Sequence, residues 1–239
     1  MLDRKTLLIF LLFFVAVVQC LGHTINYDFS TLSKTDVGFI YLKMGYTHIL
    51  PFGLDHVLFV LGLFFLNPKI KSVIWQATAF TIAHSLTLGL AIYGYIHPLS
   101  SIIEPIIALS ILFLAIENIF HNTKTSVHSN NQFNQQNQFN PGIRWWRILV
   151  VFAFGLIHGC GFASALTEVG LPENNYLLAL ATFNIGVELG QITVIFLAWM
   201  IVGKWFSEKI WYRSRIVIPI SVCIGCIALY WTIERTFVF

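Results

Sequence analysis

The chain has 239 residues, of which 57% are hydrophobic and 10% are charged, and its formal net charge is +3. A soluble domain usually has roughly a quarter of its residues charged, so this composition excludes a soluble enzyme and a nucleic-acid-binding domain. Apolar runs near the spanning length of about 20 residues recur along the chain. The predicted fold is therefore an all-α integral membrane protein.

The N-terminal 22 residues have the features of a cleaved signal peptide. MLDRK is the charged start, LLIFLLFFVAVV is the apolar run, and Cys20-Leu21-Gly22 provides small residues at a cleavage site. Cleavage after Gly22 makes His23 the mature N-terminus, either as a metal-binding amine and imidazole or as a solvated terminal residue. Residues 23–43 are predicted to form a short extracytoplasmic segment.

Six transmembrane helices are predicted after the signal peptide, at about 44–66, 72–94, 99–120, 146–167, 176–202 and 214–234. Residues 44–120 form a first three-helix half and residues 146–239 a second. Residues 121–145 include the Asn/Gln-rich tract HSNNQFNQQNQFN, which has nothing to bury and is predicted to be a cytoplasmic loop.

The distribution of Lys and Arg predicts the orientation in the membrane. Short cytoplasmic loops collect basic residues, and the signal peptide also requires the mature N-terminus outside. We therefore predict a multi-pass protein of the bacterial cytoplasmic membrane with both mature ends outside. The cytoplasmic connections then hold Lys69, Lys71, Lys124, Arg144, Arg147, Lys204, Lys209, Arg213 and Arg215, and the outer side holds Lys34, Lys43 and Arg235.

The two halves resemble one another. The FGLDH sequence at residues 52–56 is matched by FGLIH at residues 154–158, 102 positions later, and residues 80–86 align with residues 183–189. Because each half has an odd number of spans, the repeats have opposite orientations, a common plan in secondary transporters. The identities are few, and chance similarity between apolar segments is the alternative.

Five ionisable residues lie about 12 residues into four of the predicted spans, near the middle of the bilayer. A charge at that depth costs a few kcal/mol, so five such groups indicate a function. Imidazoles and carboxylates are ligands for Ni, Co, Zn and Cu, although any single one of these residues is also explained as an interhelical hydrogen-bond partner. The five residues are Asp55, His56, His84, His158 and Glu188.

Polar residues near these five extend the predicted ion path. His48 lies seven residues before Asp55, on the same helix face, and is expected to receive the ion from outside together with Glu104. Pro51 and Gly53 predict a kink beside them. Further pathway residues are the polar stripe Asn184, Glu188 and Gln191 on the fifth span, and Glu117 near the end of the third.

The runs GYTHILPFGLDHVLFVLGLFF, FGLIHGCGFASAL and FNIGVELGQ resemble the HupE/UreJ family of bacterial membrane proteins over most of residues 40–201. The resemblance implies secondary nickel or cobalt permeation, with a hydrogenase or urease maturation system as partner. The family signature HPxxGxDH is matched by His48, Gly53, Asp55 and His56. The proline, however, follows His48 by three residues instead of directly.

The residues support two functions of different classes. In a divalent-metal permease the mid-membrane groups replace the hydration shell of a nickel or cobalt ion. In a membrane-embedded zinc hydrolase they activate a metal-bound water, with a carboxylate such as Glu188 as general base. A subunit that only docks other proteins is the third possibility. The metal is thus a transported substrate in the first case and a bound zinc in the second.

Overall fold

A computed structural model of the chain describes residues 33–120, 141–169 and 175–237. The described residues are helical, with no strand among them, and the prediction of an all-α fold is confirmed. The predicted signal peptide and His23 lie outside the described residues and stay predictions.

Seven helices make up the described chain. Five of them are long and apolar enough to cross a membrane alone, whereas α1 and α2 meet that test only as a pair bent by 66°. The last two helices each include a π-helical turn. The helices are α1 (Lys34–Ile49), α2 (Leu54–Leu66), α3 (Ile70–Ile92), α4 (Ser100–Phe120), α5 (Pro141–Val169), α6 (Tyr176–Phe206) and α7 (Arg213–Phe237).

Two helices begin earlier than predicted. The first starts at Lys34 instead of near residue 44, because the Ser33 hydroxyl caps it by accepting a hydrogen bond from the Asp36 backbone N–H at 3.2 Å. Residues 34–43, predicted to be an extracytoplasmic segment, therefore belong to α1. The fourth predicted span begins at Pro141 instead of near 146, and proline is favoured in a first helical turn.

The first span is interrupted at residues 50–53, between α1 and α2. Pro51 has no backbone N–H to continue the helical hydrogen bonds. A Cβ atom at Gly53 would overlap the backbone carbonyl of His48, so only glycine fits at this bend. The predicted kink is confirmed, and it separates the span into two helices.

The pair α1–α2 crosses the whole bundle beside α6. Gly38 in α1 faces Thr182 near the start of α6, Ile49 meets Gly190 midway, and Phe64 in α2 meets Gly203 near its end. The pair is therefore one broken span, and the described residues form six spans. We call its two ends the Lys34 end, where α1 begins, and the Phe120 end, where α2 and α4 finish.

The other helices pack as two further pairs. α3 and α5 run parallel, with Gly155 against the backbone of Phe80 and Gly159 against that of His84. α4 and α7 run antiparallel, since Arg235 lies 4.0 Å from Glu104 at the Lys34 end while the other end of α7 reaches the end of α4. In chain order, α1 of the first half corresponds to α5 of the second, and α3 corresponds to α6. The α1–α6 pair therefore corresponds to the α5–α3 pair, and both are parallel, as inverted repeats require.

The glycine contacts define how the halves correspond. Gly45 in α1 packs on the backbone of Phe183, just as Gly155 in α5 packs on that of Phe80. Gly45 is thus equivalent to Gly155 in its packing. The sequence alignment pairs Gly155 with Gly53 instead, which lies eight residues further along, at the break in the span. The histidine three residues after each glycine, His48 or His158, occupies the equivalent place.

Candidate metal centre

Three histidines from three helices meet at the centre of the bundle. His48 is in the last turn of α1, His56 in the first turn of α2, and His84 in the second half of α3. One ring nitrogen from each lies within 4.8 Å of the others. We call these residues the histidine cluster. Its position where α1 breaks explains how one span contributes two of its three members.

A carboxylate orients the ring of His56. The Asp55 Oδ1 atom lies 3.1 Å from His56 Nδ1 and also accepts the His56 backbone N–H at 2.9 Å. With Nδ1 donating its proton to the carboxylate, the lone pair is on Nε2, which is buried without a partner. This is the arrangement of a metal-ligating histidine held by an outer carboxylate. Asp55 is thus bonded to one member of the cluster, His56, and is not itself in the converging group.

A serine fixes the ring of His158, which stands beside the cluster. The Ser110 hydroxyl donates its one proton to the Ile107 carbonyl at 2.7 Å, so its oxygen accepts from His158 Nε2 at 3.0 Å. The buried Nδ1 then carries a free lone pair. The centroids of the His158 and His56 rings are 5.1 Å apart. His158 is thus a neighbour of the cluster with one bare nitrogen.

All four imidazoles have buried ring nitrogens without a hydrogen-bond partner. A buried polar atom left unpaired costs about 1–3 kcal/mol, and several in one place indicate a bound group that accepts their lone pairs. A metal ion of borderline softness is such a group. The unpaired atoms are His48 Nε2, His56 Nε2, His84 Nδ1, His84 Nε2 and His158 Nδ1.

Phenylalanine rings close the cluster towards both ends of the bundle. Towards the Lys34 end, the Phe162 ring lies 3.9 Å from that of His48 and stacks at 5.1 Å on Phe183. Towards the Phe120 end, Phe80 and Phe59 are 4.8 Å apart, and both contact His158. Phe59, Phe80 and Phe183 are at most 1% exposed. Aromatic rings therefore lie on both faces of the cluster.

The profile of the family described as HupE / UreJ protein matches residues 25–235. The chain belongs to the HupE/UreJ family. No curated protein sequence and no solved structure shows a significant match to it. With its apolar helices, this HupE/UreJ protein is a multi-pass membrane protein. Its first half supplies all three histidines of the cluster, and His158, Phe162 and Phe183 of the second half lie against them.

The structure places Glu188 apart from the histidine cluster of this HupE/UreJ protein. Its Oε1 atom accepts a hydrogen bond from the Thr78 hydroxyl at 2.6 Å, and its Oε2 atom is buried without a partner. Thr78 precedes His84 by six residues on α3, which corresponds to about 9 Å along the helix towards the Phe120 end. Glu188 is therefore bound to α3 at a level nearer the Phe120 end than His84, and it is outside the converging group of nitrogens.

His48 is in the cluster instead of at an entrance. The sequence expectation paired it with Asp55 on one helix face, but the chain bends between the two. Its ring centroid is 4.6 Å from that of His56 and 6.1 Å from that of His84. The outward position assumed for His48 holds only for an unbroken helix.

The other predicted pathway residues lie along the helix interfaces. Gln191 is fully buried beside Thr81, and Asn184 lies next to His84. Glu104 faces Arg235 of α7 at the Lys34 end. Glu117 binds Arg147 at the Phe120 end, with 2.9 Å between the charged atoms. The structure thus connects Asn184 alone of these to a cluster histidine.

Two functional contacts were missed from the sequence. The first is Ser110, which orients His158. It is a single hydroxyl residue in an apolar run, and the only signal in the sequence is that it lies about as far into its span as His158 does. The second is Arg147, which the sequence places near the cytoplasmic side without indicating its partners. Its side chain ties α5 to Glu117 of α4 and to Gln76 of α3, the latter at 2.6 Å.

Proposed function

We propose that this protein is a secondary transporter that moves a divalent transition metal, nickel or cobalt, across the bacterial cytoplasmic membrane. The observation that carries the proposal is the histidine cluster, three imidazoles converging in the core of a six-span bundle with unpaired nitrogens. The cluster belongs to the first half and lies against His158, Phe162 and Phe183 of the second, and secondary transporters hold their substrates where such halves meet.

The donor set supports a borderline divalent ion. Imidazole nitrogen binds Ni, Co, Cu and Zn, whereas Cu(I) prefers thiolate and thioether sulfur. Within the described part of the chain, the group of converging ligand atoms consists of histidine nitrogens alone. Nickel and cobalt are preferred within this set because the family resemblance implies them.

The geometry supports transport over zinc hydrolysis. A metal-dependent hydrolase needs a general base within hydrogen-bond reach of the metal-bound water. Asp55 is engaged by His56. Glu188, the base expected from the sequence, binds Thr78, which is about 9 Å of helix rise from His84 on α3, and is not in the converging group. Phenylalanine rings crowd both faces of the cluster and leave little room for a bulky substrate. The partner implied by the family resemblance, a nickel-enzyme maturation system, is proposed to receive the ion inside the cell.

Basic residues support a cytoplasmic Phe120 end. Cytoplasmic loops are enriched in Lys and Arg, so the mature N-terminus is outside. Near the Phe120 end are Lys69, Lys71, Arg147, Lys204, Lys209, Arg213 and Arg215, against Lys34, Lys43 and Arg235 on the half of the bundle nearer the Lys34 end.

Uptake of radioactive nickel or cobalt into proteoliposomes tests the proposal. We expect uptake by the wild type, loss of uptake in His56→Ala, and unchanged uptake in His97→Ala. His97 is an exposed loop histidine and serves as the matched control. A purified protein that retains stoichiometric zinc and moves neither metal would contradict transport and favour the hydrolase.

A further inference from the structure

The polar stripe of α6 presents oxygen atoms that have no hydrogen-bond donor. The Asn184 amide donates to the Leu180 carbonyl at 2.8 Å, which leaves its Oδ1 atom buried and unpaired. Glu188, one turn further along α6, has one carboxylate oxygen in the same state. Asn184 lies next to His84, so the Glu188 oxygen is the acceptor on this face that indicates a further partner bringing positive charge or protons.

Gln191 extends this stripe with a fully buried amide. Thr81 has one hydroxyl proton, and two acceptors compete for it, the Ala77 carbonyl at 3.1 Å and the Gln191 Oε1 atom at 3.3 Å. The shorter bond, to Ala77, takes the proton, which leaves the Thr81 oxygen as an acceptor towards Gln191. The Gln191 amide can be turned by 180°, since its O and N atoms are nearly indistinguishable, and its N–H then donates to Thr81. Rotation satisfies the amide nitrogen, which is otherwise unpaired, and frees its oxygen.

Glu188 has no counter-charge within the described residues, whose ion pairs are Asp55–His56, Glu117–Arg147 and Glu104–Arg235. Its single partner is the neutral hydroxyl of Thr78. Glu188 is half-buried, and a carboxylate oxygen that is shielded from water is destabilised unless a positive charge or a metal lies beside it. A cation at this position supplies that charge.

We propose that Glu188, Gln191 and Thr78 form a second cation site, built from oxygen ligands, which receives the transported divalent ion between the histidine cluster and the Phe120 end. This inference rests on the proposed transport function and adds a step to it. Thr81 holds the Gln191 amide in place.

The two sites differ in the ligands they offer. Nitrogen atoms of the cluster suit borderline ions, whereas carboxylate, amide and hydroxyl oxygens suit harder or partly hydrated ones such as Mn²⁺. An ion that leaves imidazole for oxygen exchanges stronger ligands for weaker ones, and conduction requires binding that is weak enough, or spread over several sites, to permit release. The oxygen site therefore lies on the release side of the cluster.

Two metal probes separate the sites in the detergent-purified full chain. Co²⁺ reports the cluster by visible absorption, and Mn²⁺ reports the oxygen site by electron paramagnetic resonance. We expect Glu188→Gln to weaken Mn²⁺ binding at least about tenfold and to keep the Co²⁺ spectrum. His84→Ala should lose the Co²⁺ spectrum and keep Mn²⁺ binding. Glu208→Gln, in the exposed loop after α6, is the matched control and should change neither.

The outcomes are distinguishable. An intact Co²⁺ spectrum in Glu188→Gln shows that the variant is folded, so unchanged Mn²⁺ binding in it overturns the second site. Loss of both metals in His84→Ala also overturns it, since a single site then binds both. Sodium-dependent uptake that Glu188→Gln abolishes, with Mn²⁺ binding unchanged, favours a coupling-ion site instead. A wild type that binds both probes separately but moves no nickel removes the transport proposal and leaves the second site.

Discussion

The first and fourth spans occupy equivalent places in the two halves, yet one is broken and the other continuous. The break brings His48 and His56 to a ring separation of 4.6 Å, although eight residues of continuous helix extend about 12 Å. In α5 the helix runs on through His158, and the next residue, Gly159, packs on the backbone of α3. The same position in the fold thus contributes to the histidine cluster in one half and forms a helix contact in the other.

The break should be more important for function than any single ligand. In Gly53→Ala the added Cβ overlaps the His48 backbone, so α1 and α2 shift relative to each other. We expect nickel uptake to fall more than about 100-fold, because a displacement of about 1 Å can have that effect on a positioned group. Gly38→Ala, whose Cβ would make an ordinary 3.6 Å contact with Thr182, is the control and should retain uptake. Wild-type uptake in Gly53→Ala would show that the bend is dispensable.

The two equivalent histidines should differ in their effect on binding. His48 has a nitrogen in the converging group and His158 lies outside it. We expect His48→Ala to weaken Co²⁺ binding by at least about 100-fold, and His158→Ala to weaken it by no more than the 10–100-fold typical of an outer contact. Titration of the Co²⁺ absorption band measures both. Equal losses would mean that the two halves contribute to the site alike.

Asp55 is present in the broken span and has no equivalent beside His158. Asp55→Asn keeps the shape but removes the charge that holds the His56 proton on Nδ1. We expect Co²⁺ affinity to decrease about 10–100-fold, as for other outer-shell partners of a ligating histidine. Asp36→Asn, at the exposed start of α1, is the control. An unchanged affinity in Asp55→Asn would show that His56 is oriented without the carboxylate.

Ser110 has the corresponding role for His158 in the continuous span, and its removal should have the smallest effect. Ser110→Ala deletes one neutral hydrogen bond, worth about 1 kcal/mol. That energy corresponds to about a fivefold decrease in Co²⁺ affinity. A loss as large as that of Asp55→Asn would contradict the peripheral place of His158.

The fold and the four histidines were predictable because the bilayer makes polar residues costly. His56, His84 and His158 were recognisable in apolar runs, since each needs a reason to be there. The helical start at Lys34 was not predictable from hydropathy because Lys34 and Asp36 lower the apolar average of that turn, and the capping by Ser33 compensates for this.

The parts of the site that were not predictable depend on tertiary geometry. Counting residues from the helix ends put Glu188 at the depth of His84, but it does not report which neighbour the side chain reaches. Only the packing of α6 on α3 shows that its partner is Thr78. Likewise, the repeat could be recognised from FGLDH and FGLIH, while its true register through Gly45 depends on where the first span breaks.

The phenylalanine rings on both faces of the cluster limit the kinetics of any passage. An ion that leaves the cluster along the bundle has to pass these rings, so the rings on that side must move first. Flux through such a molecule is counted in cycles and becomes saturated as the metal concentration rises. Its turnover is then set by the rate of conformational rearrangement, on the microsecond to second scale, instead of by diffusion through an open pore.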